Sequence, residues 1–102
     1  ADTFADGMAV RVPVPEALAI YAAGAARIVA VTDDEVAEAM RIYYRDTHNL
    51  AEGAGAAPLA AALKERERIA GRAVGVVLCG GNVDTDVFRT VLAGGTPKVA
   101  AW

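Results

Sequence analysis

An apolar run of strand length, Val74-Gly75-Val76-Val77-Leu78, stops at the only cysteine of the chain. Cys79-Gly80-Gly81-Asn82 follows, and then a helix-start signal at Asp84. The run predicts a buried strand that ends in a tight turn. In an open α/β sheet, ligands bind just past the carboxyl ends of the strands. Glycines there let the backbone come close to a bound molecule, and Cys79 is the polar atom presented to it. The competing reading makes Cys79 a small buried residue before a tight turn, because free cysteine is among the most buried residue types. Nucleophilic catalysis by Cys79 has less support. The one histidine, His48, lies at a helix end with no sign in the sequence that it meets the thiol.

The rest of the chain alternates helical patterns with a second apolar run. Residues 1–13 read as a loop. Pro15 suits a first helical position, with Glu16 favourable for the dipole and Gly24 able to close the helix. Residues 27–31, Arg27-Ile28-Val29-Ala30-Val31, read as a short buried strand. Thr32-Asp33-Asp34-Glu35 is a capping box. It opens the clearest helix, in which Val36, Met40, Tyr43 and Tyr44 form one apolar stripe. His48-Asn49 is the expected stop. After Glu52-Gly53-Ala54-Gly55-Ala56-Ala57-Pro58 a helix is expected to run to about Ala70, closed by Gly71. Asp84 or Thr85 caps a last helix bearing Val87, Phe88, Val91 and Leu92. The order helix, strand, helix, helix, strand, helix predicts an α/β fold with parallel strands joined by a crossover. Two strands alone make a poor sheet, so the expectation is one partial domain, residues 1–102, of a larger doubly wound parallel sheet.

Composition narrows the functional classes. The 102 residues suffice for one small domain. Hydrophobic residues are 55% but aromatics only 6%, so the excess is Ala and Val, suited to close packing and suggestive of surface that other protein covers. A net charge of −3 without a basic block argues against nucleic acid. No run of about 18 uncharged apolar residues marks a membrane span. One cysteine excludes an internal disulfide and points to a reducing, cytoplasmic compartment. The start at Ala1, without Met or a leader-like segment, has two readings: Met removal or a boundary, or a piece of something longer.

Two further constellations bear on chemistry. Glu52-Gly53-Ala54-Gly55-Ala56 places a carboxylate beside a small-residue helix start. It either faces a ligand that needs close backbone approach or packs tightly as structure. It matches neither a P-loop nor the dinucleotide fingerprint. Ala5-Asp6-Gly7 is a common turn type. Lys64 sits in a charged helical run and Lys98 in a tail, neither in a setting that activates an amine. No His, Cys, Asp and Glu cluster has zinc spacing.

Taken in order, Ala5-Asp6-Gly7-Met8-Ala9-Val10, then Arg27-Ile28-Val29-Ala30-Val31-Thr32 with its acidic helix start, then Ala51-Glu52-Gly53-Ala54-Gly55-Ala56, then Val77-Leu78-Cys79-Gly80-Gly81-Asn82-Val83-Asp84, resemble the carboxyl-terminal portion of fold-type-II (tryptophan synthase beta-like) pyridoxal-phosphate enzymes. Threonine/serine dehydratases are the nearest in look, with serine racemase and hydroxyaspartate dehydratase as near relatives. The resemblance implies that Cys79 hydrogen-bonds the pyridine nitrogen of pyridoxal 5'-phosphate. It implies that Gly7 lies by the 3-hydroxyl and Glu52 near the ring, that Gly80, Gly81 and Asn82 shape the turn, and that Asp6 faces the substrate. A neutral partner at the ring nitrogen suits loss of a β-hydroxyl, and the protein then tunes a cofactor that carries the reaction. The implied activity is that of an ammonia-lyase: threonine to 2-oxobutanoate, or serine to pyruvate, with ammonia released.

The chain also departs from that family. The Schiff-base lysine segment, the glycine-rich phosphate loop and the acidic cation-binding segment of several relatives are all missing, so the isolated chain is expected to be inactive. Its expected partners are the amino-terminal part of the same enzyme, an amino-acid substrate and further copies in a homo-oligomer, with no nucleic acid and no membrane. Two other classes fit the sequence less well: a non-catalytic α/β module that self-associates, and a small nucleotide- or flavin-binding protein, disfavoured by the lack of a phosphate fingerprint.

Overall fold

A computed structural model describes residues 2–9 and 12–98. In chain order it holds a 3-10 turn, Asp6–Met8, and five helices: α1, Pro15–Gly24; α2, Asp33–Thr47; α3, Gly53–Lys64; α4, Arg66–Ile69; and α5, Thr85–Leu92.

Local signals account for the helix ends. At the start of α2 the Thr32 hydroxyl accepts from the Glu35 N–H at 3.1 Å, and the Glu35 carboxylate accepts from the Thr32 N–H at 2.8 Å. This reciprocal box satisfies two donors that a helix start otherwise leaves unpaired. His48 ends α2 in the left-handed region, at φ 56° and ψ 31°. His48 thus takes the stop, one residue before Asn49. The helix expected to run to Ala70 breaks instead at Glu65, which leaves α3 and the single-turn α4. Pro58 lies inside α3; it has no N–H to give the preceding turn.

The core is built from α2, α3 and α5. Val36, Ala37, Ala39 and Met40 of α2 are buried, with Ala56 and Ala60 of α3 and Phe88 and Val91 of α5. Alanine at α2 and α3 positions lets those helices pack closely. Tyr44, half-exposed, meets the Phe88 ring edge-on at 5.4 Å and 78°, a favoured aromatic geometry. Arg41 ties α2 to the end of α5 through the carbonyls of Val91 and Gly95. Helix α1 buries no residue and packs on no other element among those described. Apolar helices of this kind are ordinarily covered.

The expected doubly wound parallel sheet is corrected here: among the described residues there is no strand, and the fold they form is helical. Residues 27–31 and 73–78, both expected as strands, are irregular. The reason is physical. A strand exists only through a ladder of hydrogen bonds to a neighbour, and neither segment has one. Residues 27–31 are held by side chains instead. The Lys64 ammonium donates to the Ala30 carbonyl at 2.9 Å, and Arg27 pairs with Glu65, Nε to Oε1 at 3.1 Å. The valines of the other segment are exposed: Val77 is 72% accessible.

Candidate functional site

The site forms around the first turn of α3. Glu52 is the residue that opens this helix, in extended conformation, and its carbonyl accepts from the Ala56 N–H at 3.0 Å. Its own N–H donates to the Gly80 carbonyl at 3.0 Å. That bond joins two segments far apart in sequence, the turn after Cys79 and the start of α3.

Three residues singled out from the sequence meet at the Glu52 carboxylate. A Cβ on Gly80 would stand 2.8 Å from Glu52 Oε1, and one on Gly7 would stand 3.7 Å from the same oxygen. Any side chain at position 80 would displace the carboxylate, so glycine is what allows the approach. Gly7 belongs to the 3-10 turn, which the Met8 N–H closes by donating to the Ala5 carbonyl at 2.8 Å. Gly81 packs against the chain just before the helix: its Cβ would stand 2.5 Å from the Leu50 carbonyl.

The other expected site residues are placed by these neighbours. Cys79 is exposed, which removes the buried-cysteine reading. Asp6 is exposed on the 3-10 turn beside Gly7, and Asn82 is exposed after Gly81. No hydrogen bond among the described residues joins the Cys79 thiol to Asp6 or Glu52. Lys64 is engaged away from this cluster, with Ala30 and Glu35, and Lys98 is exposed. No three His, Cys, Asp or Glu side chains gather among the described residues as a metal ion would need.

A second feature was missed from the sequence. An apolar cleft of about 470 Å³ opens between the 3-10 turn, residues 29–31 and α3, lined by Met8, Val29, Val31, Ala57, Pro58 and Ala61. Its volume is in the range of small-molecule sites. Small residues at positions 54, 57 and 61, one face of α3, were the signal that could have shown it.

Titration is perturbed on α2 and at the end of α3. The backbone N–H of Thr32 holds the Glu35 carboxyl below its ordinary range, and the Arg27 guanidinium does the same for Glu65. Burial raises the Tyr43 phenol.

A family profile described as pyridoxal-phosphate dependent enzyme matches residues 1–80. The chain belongs to the pyridoxal-phosphate dependent enzyme family. The cofactor of this family is pyridoxal phosphate. Among curated relatives, an L-threonine ammonia-lyase of Thermotoga maritima is 32% identical over 96 residues, covering 94% of this chain and 24% of the relative. An L-threonine ammonia-lyase of Geobacter sulfurreducens is 38% identical over 94 residues, covering 91% of this chain and 23% of the relative. A beta-hydroxyaspartate dehydratase of Paracoccus denitrificans is 41% identical over 59 residues, 58% of this chain and 19% of the relative. The chain thus spans no more than 24% of the length of these relatives. No solved structure matches it.

Proposed function

We propose that this chain supplies the ring-contacting side of a pyridoxal-phosphate dependent threonine/serine ammonia-lyase, as a carboxyl-terminal part of its cofactor-binding domain. The meeting of Gly7, Glu52 and Gly80 around one carboxylate, in a chain of this family, carries the proposal. The residues present fit one side of the cofactor. Glycines at 7 and 80 leave backbone bare where a flat ring needs close approach, and the Cys79 thiol beside them is open to a ligand.

When bound, pyridoxal phosphate supplies the electron sink for labilising the substrate α-carbon and losing the β-hydroxyl. The chain's own residues have narrower tasks. Cys79 is a neutral hydrogen-bond partner for the pyridine nitrogen. The backbone at Gly7 borders the 3-hydroxyl. Glu52 stands near the ring, its position set by Gly80. Gly80, Gly81 and Asn82 shape the turn that presents the thiol, and Asp6 faces the substrate. The substrates are threonine, giving 2-oxobutanoate, and serine, giving pyruvate, with ammonia as the other product. The match to a beta-hydroxyaspartate dehydratase favours hydroxyaspartate as a second reading; serine racemization is the remaining relative chemistry.

Neither Lys64 nor Lys98 lies in a segment like the family's Schiff-base one, so on this reading the amine comes from elsewhere in the polypeptide and the isolated chain is inactive. A free thiol fits a reducing cytoplasm, and the exposed α1 fits an assembly with more protein, in the same enzyme and in a homo-oligomer. No helix among the described residues is long and apolar enough to cross a membrane.

The test uses the full-length polypeptide that contains this chain. Keto-acid release is measured from threonine, serine and hydroxyaspartate with pyridoxal phosphate present. Release from threonine or serine supports the reading. Release from hydroxyaspartate alone moves it to the second reading. No bound cofactor and no keto acid from any of the three overturns it. For the isolated chain, mass analysis after incubation with cofactor and borohydride is expected to find neither Lys64 nor Lys98 modified.

A further inference from the structure

The first turn of α3 is pressed from two sides. A Cβ on Gly53 would stand 2.8 Å from the Ala5 methyl and 2.9 Å from the Ala5 Cα. A Cβ on Gly55 would stand 2.5 Å from the Gly80 carbonyl oxygen and 3.2 Å from the Gly80 nitrogen. Residues two apart on a helix are rotated by roughly 200°, so the two contacts fall on nearly opposite sides. Ala5 runs directly into Asp6-Gly7, and Gly80 directly follows Cys79. One helical turn therefore stands between the two loops that carry the proposed cofactor contacts. Gly24 and Gly75 are open by contrast: around them nothing lies within 4 Å of an added Cβ.

We infer that Gly53 and Gly55 are positioning residues that set the gap between the Asp6-Gly7 loop and the Cys79-Gly80 loop, and through that gap the fit of the cofactor. The inference rests on the function proposed above. Both residues act through other groups. At position 55 the obstacle is backbone, so a methyl is not relieved by turning a side chain. The Gly80 carbonyl must move away, its bond from the Glu52 N–H must lengthen, and the adjoining Cys79 moves with it. At position 53 a methyl pushes on Ala5 and shifts Asp6 and Gly7. Each glycine thus governs one loop.

The experiment compares Gly53→Ala, Gly55→Ala and the control Gly24→Ala in the full-length protein. Each variant is stripped of cofactor and titrated with pyridoxal phosphate by equilibrium dialysis, well below its melting temperature. Gly53→Ala and Gly55→Ala are expected to weaken binding by about tenfold or more, the scale of effects from lost supporting contacts and misplaced groups. Gly24→Ala is expected to bind as the parent does. The pH dependence of the bound cofactor's absorbance is expected to shift in Gly55→Ala, whose loop carries the thiol. A folded Gly55→Ala with parental affinity overturns the inference. If that variant does not fold, amide exchange of the unaltered protein decides: cofactor is expected to slow exchange of the Glu52 N–H, and an unchanged rate overturns the inference. An unaltered protein that binds no pyridoxal phosphate is a different failure, which overturns the proposed function and this inference with it.

Discussion

Arg41 on α2 donates from Nη1 to the carbonyl of Val91, 3.1 Å away on α5, and from the same nitrogen to the Gly95 carbonyl at 3.0 Å. Its Nε meanwhile pairs with Glu38 at 2.9 Å. The Val91 carbonyl, in the last turn of α5, also accepts from the Gly94 N–H at 3.0 Å, and a guanidinium at a helix end favours the dipole. Arg41→Ala removes this contact between helices. The expected cost is about 1–3 kcal/mol, the range for hydrogen bonds to a charged group. Arg41→Lys recovers only part, because a single ammonium lacks the planar fork. Urea denaturation of the variants measures both. An unchanged midpoint for Arg41→Ala would show that α5 is held by apolar contact alone.

The capping box carries a second prediction. Thr32→Ala leaves the Glu35 N–H without its acceptor and is expected to cost about 1 kcal/mol. The same box sets a pH dependence. Glu35 is held below its ordinary range first by the Thr32 N–H, Glu65 by Arg27, and Asp46 by Arg45. Carboxyls lowered in the folded state bind protons more readily when unfolded. Their stabilisation is present above the unfolded carboxylate range and is lost as the pH falls through the folded values. Thermal melts from pH 7 down to pH 3 are expected to fall over the acid range. Glu35→Gln should flatten that fall; an equally steep profile would remove Glu35 as a contributor.

What was legible in the sequence follows from the range of the interactions. The capping box depends on residues three apart, so the sequence carries it whole. Glu52 beside a small-residue helix start was legible, but its meeting with Gly7 and Gly80 was not, because that meeting joins three segments far apart in the chain. The sheet was not legible. Residues 73–78 have the composition of a strand, but a ladder needs a neighbour the segment itself does not encode. The His48-Asn49 stop was legible, and the geometry of the last turn put the left-handed residue at His48. The cleft beside α3 escaped because it is a property of three segments, and only Ala54, Ala57 and Ala61 hinted at it.

Met40 is fully buried where α2 meets the core, with Val36 one turn before it. It is the largest fully buried side chain among the described residues, in a core rich in alanine, so little nearby can collapse into the space it leaves. Met40→Ala is expected to cost about 2–5 kcal/mol, while Met40→Leu should stay within about 1.5 kcal/mol. Denaturant midpoints measure both. Equal effects from the two variants would show that the core is loosely packed around α2.

Cys79 is the only cysteine of the chain, and it is exposed. A water-soluble maleimide is therefore expected to label the native protein once, without denaturant. If the thiol bonds the ring as proposed, adding pyridoxal phosphate to the full-length polypeptide is expected to slow that labelling at least severalfold. Cys79→Ser keeps a neutral hydrogen-bonding group and is expected to retain cofactor binding and most activity. Cys79→Ala loses the bond, and Cys79→Asp replaces it with a charge that favours a protonated ring nitrogen. Keto-acid assays across a pH series separate the three: the Asp variant should change the profile, and the Ala variant should lower the rate. Full retention of rate and profile by Cys79→Ala and Cys79→Asp together would place the thiol away from the ring.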